Sequence, residues 1–319
     1  GLHVITDGEF RRSYWHLDFM WGLGGIERRT SRTGYMFHDE ETTADTAVVT
    51  GKVSGENHPF VEHFKFVKAL EENGQVARQT MPAPAQTYSE VILDRCDGQV
   101  ESLRSVYPDD QALIDDIAAA YRTVIADLYA AGCRSIQFDD CTWGIYCDGD
   151  FVAKTGMKPV DIQKVSELGV RLNNLAIQGK PADLAITTHV CRGNYHSTYA
   201  FEGGYEPVAP YLFVHEDVDA FYLEFDTPRA GGFEPLAHVA GGKKVVLGLV
   251  TSKQPGLEDE ELLVSRINEA AKYVPLENLC LSPQCGFASC ECGNKLTEDE
   301  QWAKVALVRR VAERVWGEA

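Results

Sequence analysis

Apolar residues recur every three or four positions in five stretches of the chain, which is the spacing of an amphipathic helix. These stretches are residues 60–73, 109–131, 160–178, 257–273 and 297–315. In the first stretch, Phe64, Val67 and Leu70 share one face, and Gly74 follows as a residue that commonly ends a helix. The pattern therefore predicts five helices.

Shorter apolar runs, rich in branched and aromatic residues, lie between these helical stretches and are typical of buried strands. They are residues 2–6, 76–80, 135–140, 184–191, 219–225, 243–250 and 279–285. The prolines of residues 81–84 predict a loop after the second run. Strands that alternate with helices predict an α/β fold with a mostly parallel sheet and helices outside it.

We predict a (β/α)8 TIM barrel that forms a single catalytic domain over residues 1–319. Seven strands are one short of a closed barrel, and the chain opens within its first strand, so we expect the missing strand upstream of Gly1. A doubly wound open sheet is the alternative. Against it, neither of the glycine-rich motifs that bind dinucleotides or phosphates occurs in the sequence.

One segment interrupts the alternation. Residues 25–54 are polar, rich in threonine and glycine, and end in a stretch, residues 46–53, in which polar and apolar residues alternate. Alternation with a period of two favours a strand over a helix. We therefore predict a β-hairpin excursion near residues 25–54.

The amino-acid composition limits the kinds of binding partner and cellular setting that we expect for this protein. The 319 residues carry a formal net charge of −18, which argues against a nucleic-acid partner because phosphate binding needs a basic surface. No apolar run approaches the 18 or so residues of a membrane span. Nine cysteines without a signal peptide predict a reduced, cytoplasmic protein whose thiols are buried or bind a metal. A homo-oligomer is compatible with the sequence.

Metal-binding residue types stand at the ends of three predicted strands. His189 and Cys191 are two positions apart, so on a strand their side chains point to the same side. Glu224 and Cys285 end two later strands. One nitrogen, two sulfurs and one oxygen form a donor set that suits zinc better than magnesium or calcium. The alternative is that these cysteines are simply buried, as free cysteines often are.

Five segments spread along the chain form a recognisable set. They are Asp7-Gly8-Glu9-Phe10-Arg11-Arg12, Ile136-Gln137-Phe138-Asp139, His189-Val190-Cys191, Ser282-Pro283-Gln284-Cys285-Gly286-Phe287 and Val315-Trp316-Gly317. Together they resemble the cobalamin-independent methionine synthase superfamily, specifically its short bacterial members that carry only the catalytic barrel. The resemblance covers essentially the whole chain.

The resemblance implies a 5-methyltetrahydropteroyltriglutamate-homocysteine methyltransferase-like activity with Zn²⁺ as cofactor. The metal ligands would be His189, Cys191, Glu224 and Cys285. The substrate thiol would be activated as a thiolate at zinc, accept a methyl group from a methylated folate, and form methionine. Of the four ligands we expect Glu224 to yield to the substrate, because a carboxylate is the hardest of them. Glu9 would hold the amino group of homocysteine together with Asp139.

Three further residues are weaker candidates for substrate binding. Asp140 could support a ligand imidazole or the substrate, although the sequence favours neither over a solvated carboxylate. Arg11 could meet a substrate carboxylate or the glutamate tail of a folate, whereas paired basic residues are usually solvated. Trp143 could stack on a pterin, but large aromatic residues are more often part of the core.

The sequence departs from the longer family members at three places that bear on the methyl donor. One is the Met81-Pro82-Ala83-Pro84 loop, where the folate-using enzymes have a loop with threonine and glycine. Asp139 is followed by Asp140-Cys141 instead of a glutamate and a proline, and residues 250–255 lack the histidine that those members offer as a proton donor. Two alternatives therefore stay open. One is a related zinc-dependent alkyl transferase that uses methylcobalamin, an epoxide or another thiol, and the other is a zinc-binding protein without turnover.

Overall fold

The computed structural model describes residues 3–9 and 11–317, and strands and helices alternate along them. The strands are β1 (Val4–Ile5), β2 (Gly24–Thr30), β3 (Asp45–Ser54), β4 (Val76–Ala77), β5 (Gln79–Pro82), β6 (Ser135–Asp139), β7 (Ala185–Val190), β8 (Ala220–Glu224), β9 (Lys244–Val250) and β10 (Leu279–Pro283). The α-helices are α1 (Leu17–Gly22), α2 (Phe60–Lys68), α3 (Pro84–Val91), α4 (Gln99–Val106), α5 (Asp110–Ala130), α6 (Thr142–Cys147), α7 (Gly149–Thr155), α8 (Pro159–Ile177), α9 (Ala209–His215), α10 (Glu260–Ala270) and α11 (Glu298–Trp316). Short 3₁₀ helices cover Pro228–Ala230, Glu234–His238 and Leu276–Asn278.

The chain divides into two compact units, and the first comprises the described residues of 1–140 together with Leu168–Thr187. In this unit β1 pairs in parallel with β4, and β5 pairs in parallel with β6. The first residues of β7 lie beside β6 in space, since the Ala185 N–H donates to Arg134 O at 3.0 Å. Helix α5 buries one face, and on it the Tyr121 ring packs against Phe138 of β6.

The excursion of the first unit is a hairpin. Strands β2 and β3 pair antiparallel, with Ile26 opposite Val49 and Arg28 opposite Ala47. The buried side of β3 includes Val49. This confirms the β-hairpin predicted near residues 25–54.

The second unit comprises Cys141–Glu167 and the described residues of 188–319. Its strands β8, β9 and β10 are parallel, and β9 lies between the other two. Gly248 of β9 is opposite Glu224 of β8 on one side and Ser282 of β10 on the other. His189 of β7 lies beside β8, with its Nδ1 3.2 Å from Tyr222 O. The carboxyl ends of β7, β8 and β10 therefore face one small region.

The observed elements confirm the α/β class with parallel strands. Each of the seven predicted strands has a counterpart in the structure, although Leu2 of the first run lies outside the described residues. The closed eight-stranded barrel and a strand upstream of Gly1 stay predictions. Within the described residues, none of the helices has both the length and the apolar character that crossing a bilayer requires.

Several boundaries differ from the predictions for local reasons. Helix α2 ends at Lys68 instead of residue 73, and Leu70 is 55% exposed, so the buried apolar face stops one turn early. The predicted loop at 81–84 is wrong in part, since β5 continues through Pro82. Pro84 then begins α3, a position where its missing N–H costs nothing. Helices of six to eight residues, such as α1 and α4, escaped prediction because they are too short to show a periodic pattern.

Candidate metal centre

Four side chains that the sequence assigned to a metal converge in the second unit. His189 lies one residue before the end of β7 and Cys191 directly after it, while Glu224 ends β8 and Cys285 follows β10. Their candidate ligand atoms all lie within 4.8 Å of one another. His189, Cys191 and Glu224 are buried. The structure thus brings together the complete predicted ligand set.

The arrangement fits a tetrahedral zinc ion. Zinc binds cysteine sulfur at about 2.3 Å and histidine nitrogen at about 2.0–2.1 Å, so neighbouring ligand atoms of a loaded site lie about 3–4 Å apart. A cluster whose ligand atoms lie within 4.8 Å of one another needs only small side-chain movements to close to that size. Two sulfurs, one imidazole and one carboxylate also match the donor types that zinc prefers.

The His189 imidazole is held in one orientation by its neighbour strand. Its Nδ1 lies 3.2 Å from Tyr222 O, and a carbonyl can only accept, so Nδ1 carries the proton. The Nε2 lone pair is then the one that can bind a metal. Metal-binding histidines commonly have their second ring nitrogen fixed in this way.

The two candidate thiols differ in their readiness to ionise. A hydrogen bond from Cys191 and the nearby charge of His189 lower the pKa of the Cys285 thiol well below its usual range, against the effect of burial. The pKa of Cys191 is raised, because it hydrogen bonds with the sulfurs of Cys141 and Cys285 and is buried. Cys141 is therefore a third sulfur beside the centre, which the sequence showed only as a departure after Asp140.

Glu224 is ionised despite its complete burial. Burial alone would raise the pKa of its carboxyl group, but the charges of Arg229, Lys253 and His189 outweigh burial, so the pKa is lowered. Arg229 Nη2 donates to Glu224 Oε2 at 2.9 Å. The backbone is fixed as well, since the Glu224 N–H donates to Tyr205 Oη at 2.9 Å.

A buried polar network joins the loop after Cys191 to the loop after Cys285. Asn194 Nδ2 donates to Gly286 O at 2.7 Å and to Ser289 Oγ at 2.9 Å. Lys253 Nζ donates to Asn194 Oδ1 at 2.7 Å, and Asn294 Nδ2 donates to the same oxygen at 3.0 Å. No motif in the sequence indicated this network, because its members are separated by about sixty to one hundred residues.

The two carboxylates expected to bind a substrate amino group lie in the first unit. Glu9 Oε1 accepts from Arg12 Nη1 at 3.0 Å and from Thr80 Oγ1 at 2.9 Å. Burial, opposed by the charge of Arg12 and reinforced by that of Asp139, raises the pKa of Glu9 to about 7. Asp139 accepts from Gln137 Nε2 at 2.8 Å. Phe10, the centre of the first motif, lies outside the described residues.

The three weaker candidates for substrate binding, Asp140, Arg11 and Trp143, each have different neighbours. Asp140 is buried in the first unit and accepts from Asn173 Nδ2 at 3.2 Å. Arg11 is exposed, and its guanidinium lies over the Phe66 ring at 4.6 Å. Trp143 of α6, in the second unit, is 1% exposed. Their roles in substrate binding stay predictions.

A comparison with known protein families shows which family the chain belongs to. Residues 1–314 match the model of the family described as "Cobalamin-independent synthase, Catalytic domain". The chain belongs to this family. The resemblance predicted from the five sequence segments is therefore confirmed.

Individual relatives of the cobalamin-independent synthase family agree with this assignment. The chain is 40% identical to the uncharacterized protein YxjG of Bacillus subtilis, over 99% of this chain and 82% of that protein. It is 25% identical to a methionine synthase of Saccharolobus solfataricus, over 90% of this chain and 73% of that protein. Among solved structures, a putative vitamin-B12 independent methionine synthase from Listeria monocytogenes superposes with a TM-score of 0.73 at 36% identity, covering 100% of this chain and 83% of that one.

Proposed function

We propose that this protein is a zinc-dependent S-methyltransferase that transfers a methyl group to the thiol of homocysteine and so forms methionine. The observation that carries the proposal is the convergence of His189, Cys191, Glu224 and Cys285 within 4.8 Å. Membership in the cobalamin-independent synthase family supports the same reaction. We propose a methylated folate as the donor and residues 1–319 as a single catalytic domain of a cytoplasmic protein.

The protein's own residues would hold the metal and the amino-acid part of the substrate. Zinc bound by the four side chains would favour the thiolate form of the substrate, which is the nucleophilic form. Glu9 and Asp139 would bind the substrate ammonium, since charge-assisted hydrogen bonds fix both position and orientation. Arg11 is proposed to bind a substrate carboxylate, Trp143 to stack on the donor, and Asp140 to support the amino-acid site.

A turnover experiment with defined metal content tests the proposal. The protein is stripped with a chelator, reloaded with zinc, and given homocysteine with methyltetrahydrofolate, methylcobalamin or an epoxide, and the products are identified by mass spectrometry. We expect about one zinc per chain and methionine from the folate only after reloading. Cys285→Ser should lose both zinc and turnover, whereas Cys280→Ser, on the strand that precedes Cys285 but outside the centre, should keep both.

Each other outcome selects an alternative. Methyl transfer from methylcobalamin alone would exclude the folate as donor, and alkylation by an epoxide alone would identify a related alkyl transferase. If the protein binds zinc but alkylates no thiol from any donor, the zinc-binding protein without turnover is the correct interpretation. Equal activity of the stripped and reloaded protein would exclude zinc dependence.

A further inference from the structure

The Glu224 carboxylate is held at both of its oxygens by groups of the protein. Arg229 Nη2 donates to Oε2 at 2.9 Å, and the backbone N–H of Arg192 donates to Oε1 at 3.0 Å. The Glu224 side chain is completely buried, and the Arg229 side chain is 9% exposed. Where water is excluded, hydrogen bonds between charged groups are strong. Glu224 therefore has a cationic hydrogen-bond partner, Arg229, next to the candidate metal centre.

Arg229 has supports that do not depend on Glu224. Its Nη2 also donates to Asp226 Oδ1 at 3.1 Å, and Asp226 is 1% exposed. Its guanidinium carbon lies 4.8 Å from the centre of the Tyr199 ring. These contacts would keep the guanidinium in place while the Glu224 carboxylate moves.

The surroundings of the two thiols are different. Cys191 Sγ accepts from the Gly193 N–H at 3.3 Å, and Cys285 Sγ lies 3.9 Å from Ser289 Oγ. Both of these partners are neutral, whereas Glu224 forms an ion pair. In the described part of the chain, Glu224 is thus the anionic candidate ligand that is hydrogen-bonded to a cation from outside the ligand set.

We propose that Arg229 is a positioning residue that holds the Glu224 carboxylate when a substrate thiol takes its place at the metal. The inference rests on the proposed function, in which a substrate thiol would join the zinc held by His189, Cys191, Glu224 and Cys285, and in which we expect Glu224 to yield. With zinc bound, Arg229 would favour Glu224 as the ligand that yields, because it offers the carboxylate a charged partner. A buried carboxylate that left the metal without a cation beside it would be strongly disfavoured.

Thiol binding to a cobalt-loaded protein measures this step directly, because Co²⁺ substitutes for zinc and its visible absorption changes when a further thiolate joins it. The test variant is the charge-balanced Asp226→Asn/Arg229→Met, which removes the ion pair to Glu224 without changing the net charge. We expect it to bind cobalt and the dissociation constant for homocysteine to rise about tenfold or more, as is typical for loss of a residue that supports a metal ligand. Arg229→Lys, which keeps the cation, should show a smaller rise.

Two controls separate positioning from general damage. Arg310→Met makes the same side-chain change at an arginine of α11 in the same unit that pairs with Glu260 of α10, and should leave thiol binding unchanged. Asp226→Asn alone keeps the Arg229–Glu224 pair but removes one support of the guanidinium, so its dissociation constant should lie between those of the wild type and the double variant. Circular dichroism checks that each variant is folded before titration.

A wild-type dissociation constant for homocysteine in the folded double variant would overturn the proposal. So would loss of cobalt binding in that folded variant, because Arg229 would then build the site instead of holding a displaced ligand. If the double variant does not fold, a wild-type constant in folded Arg229→Gln, which removes the cation alone, overturns the proposal instead. Failure of the wild-type protein to bind cobalt or a thiol would instead contradict the proposed function itself, so the two failures are distinguishable.

Discussion

Glu9 is a carboxylate whose surroundings favour its neutral form. Burial raises its pKa to about 7, and Asp139 adds to this effect, although Arg12 and Thr80 oppose it. Its backbone φ of 61° is also uncommon for a residue other than glycine, which points to a position constrained by its neighbours. Strain and a shifted pKa in one residue are typical of functional positions.

Because the pKa of Glu9 is raised, we expect the free energy of unfolding to depend on pH. Between its ordinary pKa of 4.5 and about 7, the folded protein binds more protons at Glu9 than the unfolded chain does, so the free energy of unfolding falls as pH rises. A shift of this size corresponds to about 3–4 kcal/mol. When the pH rises from 5 to 8, the wild type should therefore lose stability that Glu9→Gln keeps. Urea denaturation at the two pH values measures this difference.

The exposed Glu62 provides the control for Glu9. Its side chain is 73% exposed and pairs with Lys65 on the surface of α2. Glu62→Gln should leave the difference in stability between the two pH values unchanged. An unchanged difference in Glu9→Gln as well would show that Glu9 titrates near its ordinary pKa.

Close packing of neighbouring strands sets the positions of two candidate metal ligands, Glu224 and Cys285. A Cβ added at Gly248 of β9 would lie 2.8 Å from Gln284 Cα and 2.8 Å from Leu223 O, both backbone atoms that cannot swing aside. Leu223 precedes Glu224, and Gln284 precedes Cys285. Glycine at this point lets the three strands bring their ends together.

Gly248→Ala should consequently harm both stability and metal binding. Overpacking of a buried site costs about 1–3 kcal/mol, and the shift it forces should move Glu224 and Cys285 apart. We expect a lower melting temperature and weaker zinc binding in competition with a chromophoric chelator. Gly256→Ala is the matched control, because no atom lies within 4 Å of a Cβ added there. Similar behaviour of the two variants would contradict this account of Gly248.

For the molecule as a whole, a metal would join parts of the chain that lie far apart in sequence. The four candidate ligands span residues 189 to 285 and come from three strands and the loops after them. An ion that binds only the folded arrangement stabilises it in proportion to its concentration and affinity. Folding and metal binding should therefore be coupled in this protein.

Zinc should raise the melting temperature of the stripped protein. At a free concentration about one hundred times its dissociation constant, zinc adds about 2.7 kcal/mol to the free energy of unfolding. Cys191→Ser should abolish this gain in a thermal scan, while Cys133→Ser, a buried cysteine of the first unit, should keep it. An equal zinc response in the two variants would place the metal elsewhere.

The sequence by itself determined the α/β class, the hairpin, the candidate ligand set and the family. These features are readable because periodicity is local, and because His189 and Cys191 lie two positions apart on a strand. The ends of parallel strands in one sheet lie at the same edge, which justified adding Glu224 and Cys285 to the set. The four candidate ligands could therefore be predicted without knowledge of side-chain packing.

Only the tertiary structure decided what surrounds those ligands. The pairing of Arg229 with Glu224, the network through Asn194 and Lys253, and the position of Cys141 beside Cys191 all depend on how side chains pack after the backbone is folded. Burial and nearby charges also set the ionisation of buried carboxylates, and neither can be read from composition or spacing. The chain's local pattern thus fixed which residues are candidates, while packing fixed their charge states and partners.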